Sequence, residues 1–199
     1  MDRGFSFEPD LLFDLDGTEF MAERLPEILK LRGYARTREF RWSRPLRGGE
    51  MHRDLFAPAD VERSQLPTPM TPLPDAPLAI RRSQRVSLTI GDTPLSILLP
   101  DAMGFLAMKE RAKREQRPNA NKDCFDIFAY VKLVGPEAVR SSLEQAGQEG
   151  RLLRDRLVSL FWNATAPGVK DVMAYAASLE QEDRELLAQA AVDLFSELG

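Results

Sequence analysis

Hydrophobic and polar positions in the first part of the chain predict short strands around one helix. These predicted elements are a strand at Leu11–Leu15, a helix at Glu19–Arg32, and strands at Glu39–Trp42 and Met51–Phe56. Pro26 either starts or kinks the helix, and Gly33 is a natural stop. Gly48–Gly49 predicts the turn between the second and third strands.

The middle of the chain predicts a loop followed by a hairpin. Residues 67–77 hold five prolines, a composition that disfavours both a helix and a central strand. The stretches Arg85–Ile90 and Pro94–Leu98 alternate apolar and polar residues on either side of the turn sequence "GDT". This spacing predicts an antiparallel hairpin that ends the sheet.

From Pro100 onward the apolar residues recur at helical spacing. We expect Phe105, Met108 and Ala112 to share one face of a first helix. We expect Phe125, Phe128 and Val131 to share one face of a second. Three or four more helices are predicted, at roughly 137–148, 150–163, 168–179 and 181–198. The predicted fold class is therefore α+β, a small mixed β-sheet (domain 1–99) followed by a C-terminal helical bundle (domain 100–199).

Composition narrows the class of protein without naming a partner. The 199 residues are 43% hydrophobic and 29% charged, a balance typical of a folded domain, and the net charge is −4. No apolar run reaches membrane-spanning length, so we expect no membrane partner and a cytoplasmic location. Arginine and lysine concentrate in two stretches, 32–53 and 109–122. The arginines of the first stretch either bind nucleic acid or form the solvated face of edge strands.

The string "LLFDLDGTEF" (11–20) is similar to the opening of haloacid-dehalogenase-type phosphatases. There the first aspartate, here Asp14, is the nucleophile, the second, Asp16, is the acid/base, and Mg²⁺ offsets charge. That mechanism needs further catalytic residues on a doubly wound parallel sheet, and this chain supplies helices where the later strands should be. A strand-to-helix turn explains the string equally well, so the phosphatase is the third hypothesis.

The segment 99–134 carries the most chemistry. Lys109 lies in the middle of one predicted helix, and Lys122, Asp123 and Asp126 open the next. Two antiparallel helices would bring Lys109 near these carboxylates, where a lysine could contact a triphosphate and a carboxylate could orient it or act as a base. The alternative is that Lys122 and Asp123 only mark a helix start, where an acidic residue is favourable.

This segment resembles the nucleotidyltransferase-like family that includes the AbiEii-type abortive-infection toxins. In that family, a helix of the form "lKl.a...R" precedes a helix headed by "KD..D". The matching residues here are Leu106, Lys109, Arg114 or Arg117, Lys122, Asp123, Asp126 and Ile127. The resemblance implies a minimal polymerase-β-like sheet followed by a helical bundle, with an NTP as substrate.

The resemblance also implies a site for Mg²⁺, held by carboxylates on neighbouring strands. Asp54 matches the carboxylate of the later strand, and two registers compete for the earlier pair. Either Asp10 pairs with position 12, where Leu12 would be a lost ligand, or Asp14 and Asp16 form the pair. Helix spacing favours the first register, and the chemistry favours the second.

The family normally begins with a strand and a glycine-serine turn that cradles phosphate, and only nine residues precede Asp10 here. We expect either an N-terminally truncated enzyme or a degenerate member. The first hypothesis is Mg²⁺-dependent transfer of a nucleotide from an NTP to a hydroxyl of RNA or protein. One form of this hypothesis is a toxin whose partner is an antitoxin. The alternative is a non-catalytic module of the same fold that binds RNA or protein.

Overall fold

The structure is a computed structural model that describes residues 10–13, 24–62, 66 and 68–199. For Asp10 and Ile90 it describes the backbone only. It divides into two compact units, Met1–Pro77 and Leu78–Gly199. The predicted division at 99/100 stays a prediction, but the hairpin that was expected to end the sheet falls in the second unit. The described residues give a mixed α and β architecture with small mixed sheets and a helical C-terminal region.

The first unit contains a five-stranded sheet and one helix among its described residues. The elements are β1 (Asp10–Leu12), α1 (Leu25–Leu31), β2 (Ala35–Arg36), β3 (Arg41–Leu46), β4 (Gly49–Pro58) and β5 (Thr71–Leu73). The strand order is β1-β4-β3-β2, and β5 also pairs with β4. β4 runs parallel to β1 and β5 and antiparallel to β3, so the sheet is mixed.

Three local predictions for this unit need adjustment. The loop predicted at 67–77 is wrong in part, because it contains β5 and the start of the helix Ala76–Arg81. β3 begins two residues later than predicted and continues to Leu46, and β4 extends past its predicted bounds at both ends, in an antiparallel register from Arg41↔Asp54 to Leu46↔Gly49. Pro26 lies in the first turn of α1 and therefore starts this helix, and Gly33, at φ +80°, follows its end.

The second unit begins with α2 (Ala76–Arg81, whose first two residues precede the boundary) and a separate two-stranded sheet. Strands β6 (Ser83–Ile90) and β7 (Thr93–Pro100) form the predicted antiparallel hairpin. Gly91 takes the positive φ of +59° that this tight turn requires. The expectation that the hairpin ends the main sheet is wrong, because among the described strands β6 and β7 form a separate sheet of two.

Helices make up the rest of this unit. They are α3 (Ala102–Arg111), a π-helical segment (Ala112–Gln116), α4 (Asn121–Val134), α5 (Pro136–Gln145), α6 (Gly147–Phe161), α7 (Pro167–Tyr175) and α8 (Gln181–Ser196). Asp101 caps α3 by accepting a hydrogen bond from the Gly104 backbone N–H at 2.9 Å. No helix of the described residues has the length and apolar character that a bilayer crossing needs.

Burial in the helical region follows the prediction for one helix and departs from it for another. Phe125, Phe128 and Val131 of α4 are buried as expected. In α3 the buried face centres on Leu106 and contains neither Phe105 nor Met108 among its fully buried residues. Helix α4 is buried on more than one side, because α3, α5 and α7 all pack against it, and this also encloses its aspartates.

Candidate functional site

The lysine and the two aspartates that the sequence singles out meet between α3 and α4. Lys109 Nζ donates a hydrogen bond to Asp126 Oδ2 at 2.7 Å and lies 3.7 Å from Asp123 Oδ1. The side chains of Asp123 and Asp126 are 1% and 4% exposed, whereas that of Lys109 is 20% exposed. Burying two carboxylates is costly without a cation, so Lys109 compensates charge in the interior and keeps one side toward solvent.

Arg117 is a second cation at this cluster. Its Nη2 donates to Asp123 Oδ1 at 2.9 Å. Its backbone N–H donates to the Ala112 carbonyl at 2.7 Å, the five-residue spacing of a π-helix, which fixes where the side chain begins. Of the two arginines that match the family pattern, the structure brings Arg117 to the cluster. Asp123 Oδ2 is buried and has no hydrogen-bond partner among the described residues.

Arg114, the other match, belongs to a neighbouring ion-pair group. Its Nε donates to Glu110 Oε1 at 2.9 Å, and Arg156 Nε lies 3.3 Å from Glu110 Oε2. The hydrogen bond to Glu110 raises the pKa of Arg114 against the opposing effect of desolvation. Lys122, predicted to contact the cofactor phosphate, is exposed at the start of α4, and none of its described neighbours forms an ion pair with it.

Cys124 lies on α4 between these aspartates and is fully buried. Burial raises the pKa of the Cys124 thiol, and its hydrogen bond to the Asp171 carboxylate raises the pKa further. Asp171 is ion-paired with Lys113, whose Nζ also donates to the Pro118 carbonyl. The thiol therefore stays protonated and is a packing residue, not a nucleophile.

Asp54 lies in the first unit and is already ion-paired. Arg41 Nε donates to Asp54 Oδ1 and Arg41 Nη2 donates to Asp54 Oδ2, both at 2.6 Å, in a bidentate arrangement. The Asp54 side chain is 12% exposed. On the other side of β4, the parallel register places Asp10 directly opposite Asp54, and Leu12 opposite Phe56.

The other predicted metal ligands, Asp14 and Asp16, lie outside the described residues. Within the described ranges, no three acidic, histidine or cysteine side chains form a group able to hold a metal ion. Both carboxylate oxygens of Asp54 are engaged by Arg41. Among the described residues, Asp54 is thus held by Arg41, and the Mg²⁺ site that the resemblance implies stays a prediction.

A chain of polar side chains extends along the same face of β3 and β4. Thr37 Oγ1 and Ser43 Oγ are 2.8 Å apart, and Ser43 Oγ lies 2.8 Å from His52 Nδ1. The sequence analysis did not predict these contacts. Ser43 lies opposite His52 and Arg41 lies opposite Asp54 because of the strand register, which the sequence alone does not fix. The sequence feature that could have indicated a shared face is the alternation of side chains along each strand.

Comparison of the chain with family models, with curated proteins and with solved structures finds no match. A functional hypothesis for this protein is therefore supported by its sequence pattern and its geometry. Asp10 and Asp54 belong to the first unit, and Lys109, Asp123 and Asp126 to the second.

Proposed function

We propose that the chain is a nucleotidyltransferase-like protein that transfers a nucleotide from an NTP to a hydroxyl group of RNA or protein. The observation that carries this proposal is the parallel pairing of β1 with β4, which sets Asp10 opposite Asp54. Carboxylates on neighbouring strands are what the resemblance implies for the reacting centre. This pairing favours the register with Asp10 as the early carboxylate and Leu12 at the second ligand position.

Within the second unit, Lys109 is the candidate for a phosphate contact. Lys109 would contact the NTP phosphates through its exposed side, while Asp126 and Asp123 hold its ammonium group in position. A lysine fixed by hydrogen bonds loses less conformational entropy when a phosphate binds than a mobile one does. Exposed Lys122 is available as a second phosphate contact.

A second candidate function is a non-catalytic module of the same fold that binds RNA or protein. The bidentate Arg41–Asp54 ion pair favours it, because a carboxylate neutralised by a guanidinium needs no metal ion. The phosphatase hypothesis gains no support from the described strands. The antiparallel pairing of β3 with β4 is not the doubly wound parallel sheet that this chemistry uses.

The test is transfer of a labelled NTP to a total RNA pool and to added protein, with and without Mg²⁺. We expect transfer by the wild-type chain and its loss in Asp54→Asn. Asp60→Asn is the matched control, because Asp60 is an exposed acid in the turn after β4 and its loss should leave transfer unchanged. NTP binding without transfer would favour the module over the transferase.

Two further readouts separate the hypotheses. If the protein is the toxin of a toxin–antitoxin pair, its expression should slow growth, and Asp54→Asn should relieve this effect. Phosphate release from a generic phosphomonoester that is lost in Asp14→Asn would overturn the transferase proposal and favour the phosphatase. Absence of NTP binding, transfer and RNA or protein binding would contradict both leading candidates.

A further inference from the structure

Two opposite pairs of residues in β3 and β4 project from one face of the sheet in the first unit. The antiparallel register places Arg44 opposite Met51 and Trp42 opposite Arg53, and directly opposite residues share a face. Tyr34, which follows α1, packs beside them and is 8% exposed. We refer to Tyr34, Arg44, Met51 and Arg53 as the Tyr34–Met51 cluster.

Three hydrogen-bond donors converge on the sulfur of Met51. Tyr34 Oη donates to Met51 Sδ at 2.9 Å, Arg53 Nη2 at 3.0 Å and Arg44 Nη2 at 3.9 Å. The guanidinium carbons of Arg44 and Arg53 lie 5.0 Å and 5.5 Å from the centre of the Tyr34 ring. A thioether is a weak acceptor, so three donors share an atom that satisfies none of them well.

The two arginines of the cluster have only neutral hydrogen-bond acceptors among the described residues. Arg44 Nη1 donates to the Arg32 carbonyl at 3.2 Å, and Arg53 Nη1 donates to the His52 carbonyl at 3.0 Å. Within the same described ranges, neither guanidinium forms an ion pair with a carboxylate. Arg44 Nε is buried and has no hydrogen-bond partner there.

A purely structural role explains part of this arrangement. Arg44 satisfies a carbonyl at the C-terminal end of α1, where positive charge is favourable, and both arginines cover the Tyr34 ring. Among the residues that the structure describes, this role leaves Arg44 Nε without a hydrogen-bond partner and both guanidinium groups without a carboxylate. Buried donors of this kind are uncommon in proteins and call for an acceptor.

We propose that the Tyr34–Met51 cluster binds the oxyanion of a phosphate group. The phosphate oxygens would accept from the guanidinium groups and from Tyr34 Oη in place of the Met51 sulfur. Arginine suits this ligand because its planar fork can donate two parallel hydrogen bonds to one phosphate. Exposed Arg32 and Arg36 nearby add positive potential that favours an anion.

Such a phosphate could be free, as in pyrophosphate or an NTP, or part of an RNA backbone. The proposal goes beyond the transferase hypothesis, because it uses neither Asp54 nor Lys109. Its test therefore has an outcome independent of the transfer assay.

The experiment uses Trp42 as a fluorescent reporter. The chain has two tryptophans, and Trp162 is 68% exposed, so Trp162→Phe leaves Trp42 as the single tryptophan with little effect on the fold. This background is titrated with inorganic phosphate, with pyrophosphate and with a short single-stranded RNA. We expect a saturable change in Trp42 emission for at least one of these ligands.

Substitutions then locate the site. Arg53→Gln should weaken binding about tenfold or more, because it removes charge-assisted hydrogen bonds. Arg47→Gln removes the same charge from an exposed turn of the same unit and should change binding by less than about twofold. Met51→Leu removes the sulfur but none of the donors and should retain binding. Arg53→Lys keeps the positive charge but not the paired N–H donors of the guanidinium group, so it should give intermediate affinity. This result would show that the loss of binding in Arg53→Gln is not caused by misfolding.

The ligand series identifies the source of the phosphate. RNA binding that pyrophosphate displaces only weakly would assign the site to a nucleic-acid backbone. Pyrophosphate binding without RNA binding would assign it to a free phosphate compound. The proposal is overturned if no ligand changes Trp42 emission, or if Arg47→Gln weakens binding as much as Arg53→Gln does.

Discussion

The basic stretch 32–53 and the basic stretch 109–122 use their positive charges differently. In 109–122, cations are matched by acids that the fold buries beside them. These ion pairs are Lys109–Asp126, Arg114–Glu110, Arg117–Asp123 and Lys113–Asp171. In 32–53, Arg41 is paired with Asp54, but Arg44 and Arg53 contact an aromatic ring, a sulfur atom and carbonyl groups.

The difference shows that local charge density does not predict a free basic surface. The acids that neutralise 109–122 lie partly outside that stretch, on α4 and α7, and only the helical packing brings them close. A phosphate-binding surface is therefore more strongly indicated in 32–53. Substitution of a cation should consequently lower stability more in 109–122 than in 32–53.

The largest effect on stability is expected for Lys109→Met. This change removes the ammonium group that lies 2.7 Å from Asp126 Oδ2, and the Asp126 side chain is 4% exposed. Removing a cation from a buried pair of carboxylates should lower the free energy of unfolding by about 3 kcal/mol. The free energy of unfolding is measured by urea denaturation, followed by circular dichroism.

Lys122→Met is the control for this substitution, since Lys122 is exposed and thirteen residues further along the same basic stretch. It should change the free energy of unfolding by less than about 0.5 kcal/mol. Equal losses of unfolding free energy in Lys109→Met and Lys122→Met would show that the buried ion pair does not stabilise the protein more than an exposed lysine does.

A smaller effect is expected for Cys124 at alkaline pH. The folded protein raises the pKa of this thiol above its ordinary value of 9.0, so the folded state retains a proton that the unfolded state loses. This contribution to stability is fully present below pH 9 and declines as the pH rises further. Between pH 8 and pH 10, wild type should lose about 1 kcal/mol more than Cys124→Ala.

The measurement is the free energy of unfolding of both proteins across that pH range under reducing conditions. Other groups that titrate at high pH, including Tyr130, whose pKa is also raised by burial, are common to both and cancel in the difference. Parallel pH profiles would contradict the account of Cys124 as a buried, protonated thiol.

The smallest effect on stability is expected for Arg53→Met, the counterpart in the first unit of Lys109→Met. Arg53 has no ion pair among the described residues, and its contact with the Tyr34 ring is worth about 0.5–1 kcal/mol at a partly exposed position. Urea denaturation should show a loss within that range. A loss as large as that of Lys109→Met would contradict the contrast between the two regions.

Local patterns in the sequence were enough to predict the hairpin, α1 and the helices from α3 onward, but not α2. The apolar period places α4 to α8 close to their observed bounds, and the spacing of Lys109, Asp123 and Asp126 predicts their meeting. Such contacts depend on helix geometry, which repeats from one helix to the next. β5 was missed because a proline-rich sequence disfavours a strand, although a short peripheral strand tolerates Pro72.

Contacts that depend on strand register could not be predicted in the same way. Arg41 meets Asp54, and Tyr34 meets Met51, across 13 and 17 residues of sequence. A shift of one residue in the pairing of β3 with β4 would turn these side chains to the other face. The predicted face of α3 is only partly buried, since Ala112 is buried and Phe105 and Met108 are half-buried. Packing against several helices selects what this helix buries.

The π-helical segment Ala112–Gln116 sets the direction in which Arg117 leaves the helix axis. Its wide turn holds one residue more than an ordinary helical turn would. Winding the same residues as a regular α-helix would turn Arg117 by roughly a quarter turn around the axis, away from Asp123. The ion pair between Arg117 and Asp123 therefore depends on the shape of this turn as well as on the two residue types.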